Sequence, residues 1–429
     1  MAKFKIELKQ HTPLIHFQSE QPGAILRATE VKPKLDKFLI EYVFNNKFDE
    51  YKQYLIGYKA DKKDKIEEFN GKEAFDYKLR IYVKYPDKIR KINIKGAMKK
   101  LYFAGGMNGG KENGIFTNED IILEFFTFHE KLIDGIKENI EKFFCFNNFG
   151  TRQNKGFGSF YIKNDLENQF INGEKWFQNK IKINYKKKYK NENDLWQEMF
   201  NKIDDLYRRI RSEEKSGTPY IKEFFRSKGI KWEKDTIRNK FVYGKKESVE
   251  NIYLIKDLLG LSVDERWEEK SGKKFNVKKE CIGKKEDKIE RMKSPIFFKP
   301  LKDKNGDFEI YIKANDIPKE FFNKTFKIRK WINQKNVDKI QLNTLKIASS
   351  EDVCEVFNIN EFIKFIKDKG EIESTSCENH TRDSESTNSN IKKTSYKNNK
   401  DNNKNFNKEC VCTIAEAMDF DTMKKLKLI

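Results

Sequence analysis

The 429-residue sequence predicts an α+β protein containing a β-α-β-β-α-β unit, and three observations carry that expectation. Phe4, Ile6 and Leu8 alternate with Lys3, Lys5, Glu7 and Lys9, the period-two pattern of a half-buried strand. Ile121 to Phe128 reads as a buried strand, and Leu132, Ile133, Ile136, Ile140, Phe143 and Phe144 then fall on one stripe of a helix. The glycine-rich run Phe149-Gly150-Thr151-Arg152-Gln153-Asn154-Lys155-Gly156-Phe157-Gly158 separates that helix from the short apolar run Phe160-Tyr161-Ile162. Strand, helix, loop and strand in succession form the ending of a β-α-β-β-α-β unit.

Between these anchors, Leu35, Phe38, Leu39, Tyr42 and Val43 give a helical spacing within Val31 to Leu55, opened by Pro33 and Asp36 as start signals. Arg27, Lys32 and Lys34 are then expected around the helix N-terminus, where backbone donors suit phosphate. Residues 59–72 read as an exposed loop. Tyr77, Leu79, Ile81, Val83 and Tyr85 alternate with Lys78, Arg80 and Lys84, a strand with one basic face suited to lying along RNA. Gly105 to Lys111 fits G-x-x-x-x-G-K, but Glu112 stands where the Mg²⁺-binding Ser or Thr belongs, so the run reads as a glycine loop and not an NTPase site.

Beyond Ile162 the composition shifts. Lys180 to Lys190 interleaves tyrosines with lysines, as either a nucleic-acid surface or a charged strand edge would. Leu195, Trp196, Met199, Phe200, Ile203, Leu206, Tyr207 and Ile210 predict an amphipathic helix capped by Asn193/Asp194, and the pattern stays helical and basic through Lys285. Asn305-Gly306 turns Pro295–Lys302 back into Phe308–Ile312 as a hairpin. A helix over Glu361 to Lys369 stops at Gly370. Glu373 to Asn405 has almost nothing apolar to bury and reads as a disordered linker, after which Val411, Ile414, Ala415, Met418, Phe420 and Met423 suggest a short docking helix. The expected organisation is therefore 1–165, a domain ending at the glycine loop; 166–289, a basic helical insertion; 290–370, a second β-rich portion; 371–408, a linker; and 409–429, a terminal helix.

Charge narrows the function classes. Lys+Arg 88 against Asp+Glu 67 gives a net charge of +21, which points to a polyanionic partner. Without an apolar run long enough to span a bilayer, a leader, or a long basic amphipathic helix, the sequence predicts a cytoplasmic protein with no membrane partner. The six cysteines (145, 281, 354, 377, 410 and 412) show no framework spacing, and Cys410/Cys412 has no second pair, so neither disulfides nor a metal site is expected. Asp61, Asp64 and Asp76 likewise include no pair spaced for a metal.

The glycine run can do two things. Glycines let successive N–H groups converge on an anion, with Arg152 and Lys155 adding charge, or they can close a sheet edge beside solvated basic residues. Phe149 to Tyr161 is also similar to the glycine-rich loop near the end of the RAMP domain, the ferredoxin-like (RRM-like) module of CRISPR effector subunits and pre-CRISPR-RNA nucleases. His11-Thr12-Pro13-Leu14-Ile15-His16-Phe17 resembles the "TPL" segment after the first RAMP strand. Leu26 to Leu35, and again Ile92 to Met98, resemble the "R-x-S-S-I-K-G-x-L-R" lead-in to the first helix. Arg291-Met292-Lys293-Ser294-Pro295 is similar to the "R-x-x-S-P" strand opening of the type III-B effector subunit that caps the 3′ end of the guide RNA.

The resemblance implies a ferredoxin-like RAMP domain, a second diverged RAMP-like half, and a subunit of a type III effector ribonucleoprotein that contacts guide RNA or the guide–target duplex in antiviral defence. Its implied partners are guide RNA, target RNA and other effector subunits, with no cofactor and no small-molecule substrate. The implied RNA contacts are Arg27, Lys32, Lys34, Lys95, Gly150, Thr151, Arg152, Lys155, Gly156, Phe157 and Gly158. Thr29-Glu30-Val31-Lys32-Pro33 departs from the family's S-S-I-K-G, and Pro33 removes a donor, which makes Lys95-Gly96 the better match. The alternative is a metal-independent endoribonuclease that processes precursor guide RNA, with His11 or His16 as general base and Lys95 or Arg152 on the scissile phosphate.

Overall fold

A computed structural model of the chain describes residues 1–16, 21, 24–58, 73–94, 113–163, 173–183, 191–212, 217–245, 252–269, 271–284, 288–303, 305–332, 335–343 and 357–375. By contacts the chain divides into Met1–Glu378 and Asn379–Ile429. The second unit, with the expected terminal helix, lies outside the described residues, as does most of the expected linker.

The chain opens with β1 (Ala2–Gln10) and β2 (Leu14–Ile15), continues through α1 (Ala28–Tyr42), α2 (Phe48–Tyr51), β3 (Lys78–Val83), β4 (Arg90–Asn93), β5 (Asn113–Phe116) and β6 (Ile121–Thr127), and then forms α3 (Glu130–Phe146) and β7 (Phe160–Ile162). Strands β3-β6-β1-β7 make one antiparallel sheet, and β2-β5-β4 a small second one. The β-α-β-β-α-β order read from the pattern is thus the observed core of this half. Leu8, Leu123 and Phe125 face the helices and bury with Leu35, Phe38, Leu39, Ile136 and Phe143. The alternate residues Lys3, Lys5, Lys78 and Arg80 are exposed on the other side.

One boundary differs. Helix α1 starts at Ala28 with Arg27 as N-cap, so Pro33 sits inside it and Lys32 and Lys34 lie beyond its first turn. Pro33 has no N–H for the Thr29 carbonyl, but both residues are exposed, while Val31 and Leu35 are fully buried on either side. Burial of those two side chains outweighs the proline start signal.

The remainder comprises β8 (Asn179–Ile181), α4 (Glu192–Arg211), α5 (Tyr220–Ser227), α6 (Glu233–Phe241), β9 (Asp264–Glu268), β10 (Lys274–Cys281), β11 (Ile296–Lys302), β12 (Phe308–Ala314), β13 (Thr325–Ile332), β14 (Lys335–Asn343), α7 (Ile359–Asp368) and β15 (Ile372–Ser374). These strands form the sheets β11-β12-β8-β15 and β14-β13-β10-β9. The β11/β12 hairpin closes on Gly306, whose φ is 85°, with Asp303 Oδ1 accepting from the Asn305 and Asp307 amides. The cap of α4 is Asn191, whose Oδ1 accepts from Asp194 N at 3.0 Å, two residues before the expected position.

The helical expectation through Lys285 fails at β9 and β10. Phe275, Val277, Lys279 and Cys281 all point inward, and Lys279 is tolerated there because Asp257 (2.6 Å) and Glu265 (2.9 Å) neutralise it. Lys256 joins the cluster through Glu265 at 2.6 Å. Glu233, fully buried beside them, accepts from the Lys256 amide at 2.9 Å, and burial together with the Asp257 charge pushes its carboxyl up to about 7.

The folded state therefore holds the Glu233 proton more tightly than the unfolded chain, whose carboxyl titrates near 4.5, and stability falls as pH rises between these values. Glu233→Gln is expected to remove this decline and to stabilise the protein at pH 8 by on the order of 2 kcal/mol. Thermal melts at pH 5 and pH 8 check it, and an equal decline in parent and variant would refute it.

The glycine loop is the seam between the two halves. Lys155 bridges to Phe298, the Phe298 amide donates to Asn154 O at 3.2 Å, and Ser159 Oγ donates to Pro300 O at 2.7 Å. Strand β11 is a sheet edge, which accommodates Pro300. Lys299, fully buried, donates to Asn147 O, Asn148 Oδ1 and Phe160 O at 2.9–3.2 Å. Burial drives its ammonium down to about 7, with the Lys34 charge acting in the same direction and Cys145 against it.

Candidate nucleic-acid interface

The loop does not stand open as an anion cradle. Gly150 N donates to Glu30 Oε1 at 2.6 Å, Thr151 N to Ile15 O, Lys155 N to Arg152 O, Gly156 N to Gln153 O and Gly158 N to Pro13 O. Its positive φ values at Gly150, Arg152, Gly156 and Gly158 serve a tight internal turn. A Cβ on Gly150 would meet Ile15 O at 2.5 Å, and one on Gly156 would meet Pro300 Cγ at 2.8 Å.

Four of the expected contacts are inside the protein. Phe157 is fully buried and stacks on Phe200 with ring centroids 4.1 Å apart. Gly156 and Gly158 are buried with it, and Lys155 is turned inward against the Tyr207 ring. Helix α4 covers Lys155, Gly156 and Phe157, and Phe149 with Leu14 covers Gly158, so none of the four presents a surface for RNA. Lys32 is also spent: it pairs with Asp36 at 2.8 Å, donates to Phe75 O at 2.8 Å and lies over the Tyr77 ring. Asp36 is nearly buried and requires that counter-ion. Lys95 lies outside the described residues.

The other expected residues reach the surface. Arg27 is half-buried at the α1 N-cap; the burial of the neighbouring His16, and then the Arg27 charge, lower that imidazole while Glu30 opposes them. Thr151 is exposed and Arg152 half-buried at the tip of the loop. Lys34 is engaged in the same way as Lys32: it pairs with Glu30 at 3.4 Å, lies over the Phe149 ring at 4.5 Å, and donates to Asn148 O at 2.9 Å and Gln153 Oε1 at 2.8 Å, which ties α1 to the loop.

Lys34 also opens a groove of about 710 Å³ shared by α1, the loop and the segment before β11. Lys37 stands three residues further along the same helix face, and Arg291 and Lys293 line the opposite side; all three are exposed. Asn154 Nδ2 donates to Ser294 O at 2.6 Å and fixes the two walls together. Lys313 closes one end, over the Phe146 ring at 4.0 Å and hydrogen-bonded to Tyr42 OH, with burial pushing its ammonium down to about 8. Glu41, Asp316 and Glu320 lie in the same lining, so the positive field is concentrated at the Lys34–Lys293 side. Lys37 and Lys313 carried no motif in the sequence; the helical i,i+3 relation to Lys34 is the signal that could have found Lys37.

Both candidate histidines are buried. His11 is 1% exposed, stacks on Tyr161 at 3.9 Å and accepts from the Lys302 amide through Nδ1. Burial, then Lys302 and Lys299, hold it well below the ordinary imidazole value. His16 is 7% exposed. Among the described residues, no group of three or more His, Cys, Asp or Glu could hold a metal ion, and no helix is long and apolar enough to cross a membrane.

A ferredoxin-like β-α-β-β-α-β half, sealed through its glycine loop to a second antiparallel half, defines the RAMP class of CRISPR-associated proteins. Residues 1–213 match the family model of the Cmr1 N-terminal domain and residues 217–394 that of the Cmr1 C-terminal domain, so the chain belongs to the Cmr1 family of type III-B effector subunits. The crystal structure of Cmr1 from Pyrococcus furiosus in its apo form is similar at 11% identity and a TM-score of 0.41, covering 88% of this chain and 99% of that one. No curated protein matches the sequence.

Proposed function

We propose that this effector subunit is a non-catalytic RNA holder, which grips the sugar–phosphate backbone of the guide RNA or guide–target duplex along the α1–loop–β11 groove. The observation that supports it most is convergence: segments around residues 34, 152 and 292, far apart in sequence, line or flank one groove that carries Lys34, Lys37, Arg291 and Lys293. Arg27, Thr151 and Arg152 extend the contact at the loop tip. Point charges of this kind position a backbone without reading bases, and in a guided complex base pairing carries the sequence information.

Neutralising three phosphates of a single strand with Lys37, Arg291 and Lys293 predicts a log–log salt slope of about −2 for RNA affinity. Titration of a fluorescent guide-length RNA at 50 to 300 mM salt tests this. Tight binding indifferent to salt would overturn it.

A further inference from the structure

A second cavity, which shares no lining residue with the groove, lies where α4, α6 and the β9 strand meet. It measures about 730 Å³, the size of site that encloses a mononucleotide-sized ligand. Lys155, Arg211, Lys234, Arg238 and Arg266 line it. Lys155 Nζ is buried against Tyr207, 2.9 Å from the ring centroid, and the Tyr207 side chain is its hydrogen-bonding neighbour there, which leaves its other N–H donors without an acceptor oxygen. Buried ammonium donors lacking an acceptor oxygen are costly unless something supplies one.

The environment is tuned the same way. Burial alone would raise the Tyr207 hydroxyl, but Lys155 and Arg211 outweigh it and pull it down to about 7, so this part of the cavity favours negative charge. Four acids share the lining: Glu265 is taken up by Lys256 and Lys279, and Glu269 by Lys330 at 2.7 Å, while Asp264 and Glu268 stand on the β9 wall, so the anion-binding part is confined to Lys155 and Arg211. The opposite part is aromatic: Trp267 is half-buried, with Lys234 over its ring at 5.6 Å, and Tyr243 is 41% exposed. Aromatic faces beside cations accept a nucleobase by stacking.

We propose that this cavity is a mononucleotide site, in which Lys155 and Arg211 receive a phosphate and Trp267 stacks the base. The inference does not rest on the RNA-groove reading. Its ligand is a free mononucleotide, recognised by one phosphoryl group and one base; binding of a strand instead is an outcome against it.

Titration of the full chain with adenosine monophosphate, adenosine, inorganic phosphate and an unphosphorylated oligoribonucleotide, followed by tryptophan fluorescence and calorimetry, tests it. Adenosine monophosphate is expected to bind at least tenfold more tightly than adenosine. Lys155→Met is expected to cost about tenfold or more, and Trp267→Ala to weaken the nucleotide while leaving phosphate unchanged. Should Lys155→Met fail to fold, the exposed Arg266→Gln and the Trp267→Ala variant decide the matter on their own. No binding of the nucleotide, unchanged affinity in these variants, or Lys155-dependent binding of the oligoribonucleotide alone would overturn the proposal.

Discussion

Arg291→Glu combined with Lys293→Glu is expected to weaken guide-length RNA binding by on the order of a hundredfold at about 0.15 M salt, and to flatten the salt slope by about 1.4. Each reversal removes a phosphate contact and puts a like charge beside the strand, which makes roughly tenfold per site a moderate estimate. Both side chains are exposed at the groove wall, so the fold bears the change. Lys274→Glu with Lys284→Glu, exposed elsewhere, produces the same shift in net charge and serves as the comparison. Equal losses from the two pairs would show that overall charge, not the groove, governs affinity.

Gly158→Ala is expected to be the most damaging small substitution in the loop. Gly158 has φ +65°, and a Cβ there would press on the Phe149 carbonyl and on Leu14 Cδ1 at 3.0 Å. The unfavourable φ and the backbone overlap together cost about 3–5 kcal/mol, lowering the melting temperature by roughly 4–6 °C. Gly306→Ala supplies the control: its φ is +85°, but no atom lies within 4 Å of the added carbon. Only the conformational part, about 1 kcal/mol, is then lost. Calorimetric melts of both variants check the contrast, and equal destabilisation would sink the packing argument.

The N-terminal half was legible in the sequence because its elements are long and their periodicity is clean. β1, β6 and α3 bury the residues that alternation and helical spacing single out. The second half was harder to read for a physical reason. Lys279 occupies an inward strand position and breaks the apolar alternation of β10, and its neutralising partners Asp257 and Glu265 are 22 and 14 residues away. β8, in the interior of its sheet, is only three residues long and pairs with β12 and β15 far along the chain.

The candidate site was legible as charge and not as direction. Arg152 and Lys155 look alike in the sequence, yet Lys155 is turned inward by α4, whose Tyr207 lies beyond any local pattern. The reverse holds for Arg291 and Lys293, whose value emerges only when Ser294 is tied to Asn154.

The loop seam also imposes a timetable on synthesis. Ser159 and Pro300, which hydrogen-bond across it, are 141 residues apart. At translation rates of about 5–20 residues per second, the loop leaves the ribosome roughly 7–30 s before the strand it grips. Phe157 waits only for α4, but through the whole interval the nascent first half holds the Lys299-receiving oxygens of Asn147, Asn148 and Phe160 uncovered, a seam that neighbouring nascent chains can capture. Slowing elongation between codons 160 and 300 should therefore lower the yield of soluble protein more than slowing it anywhere upstream.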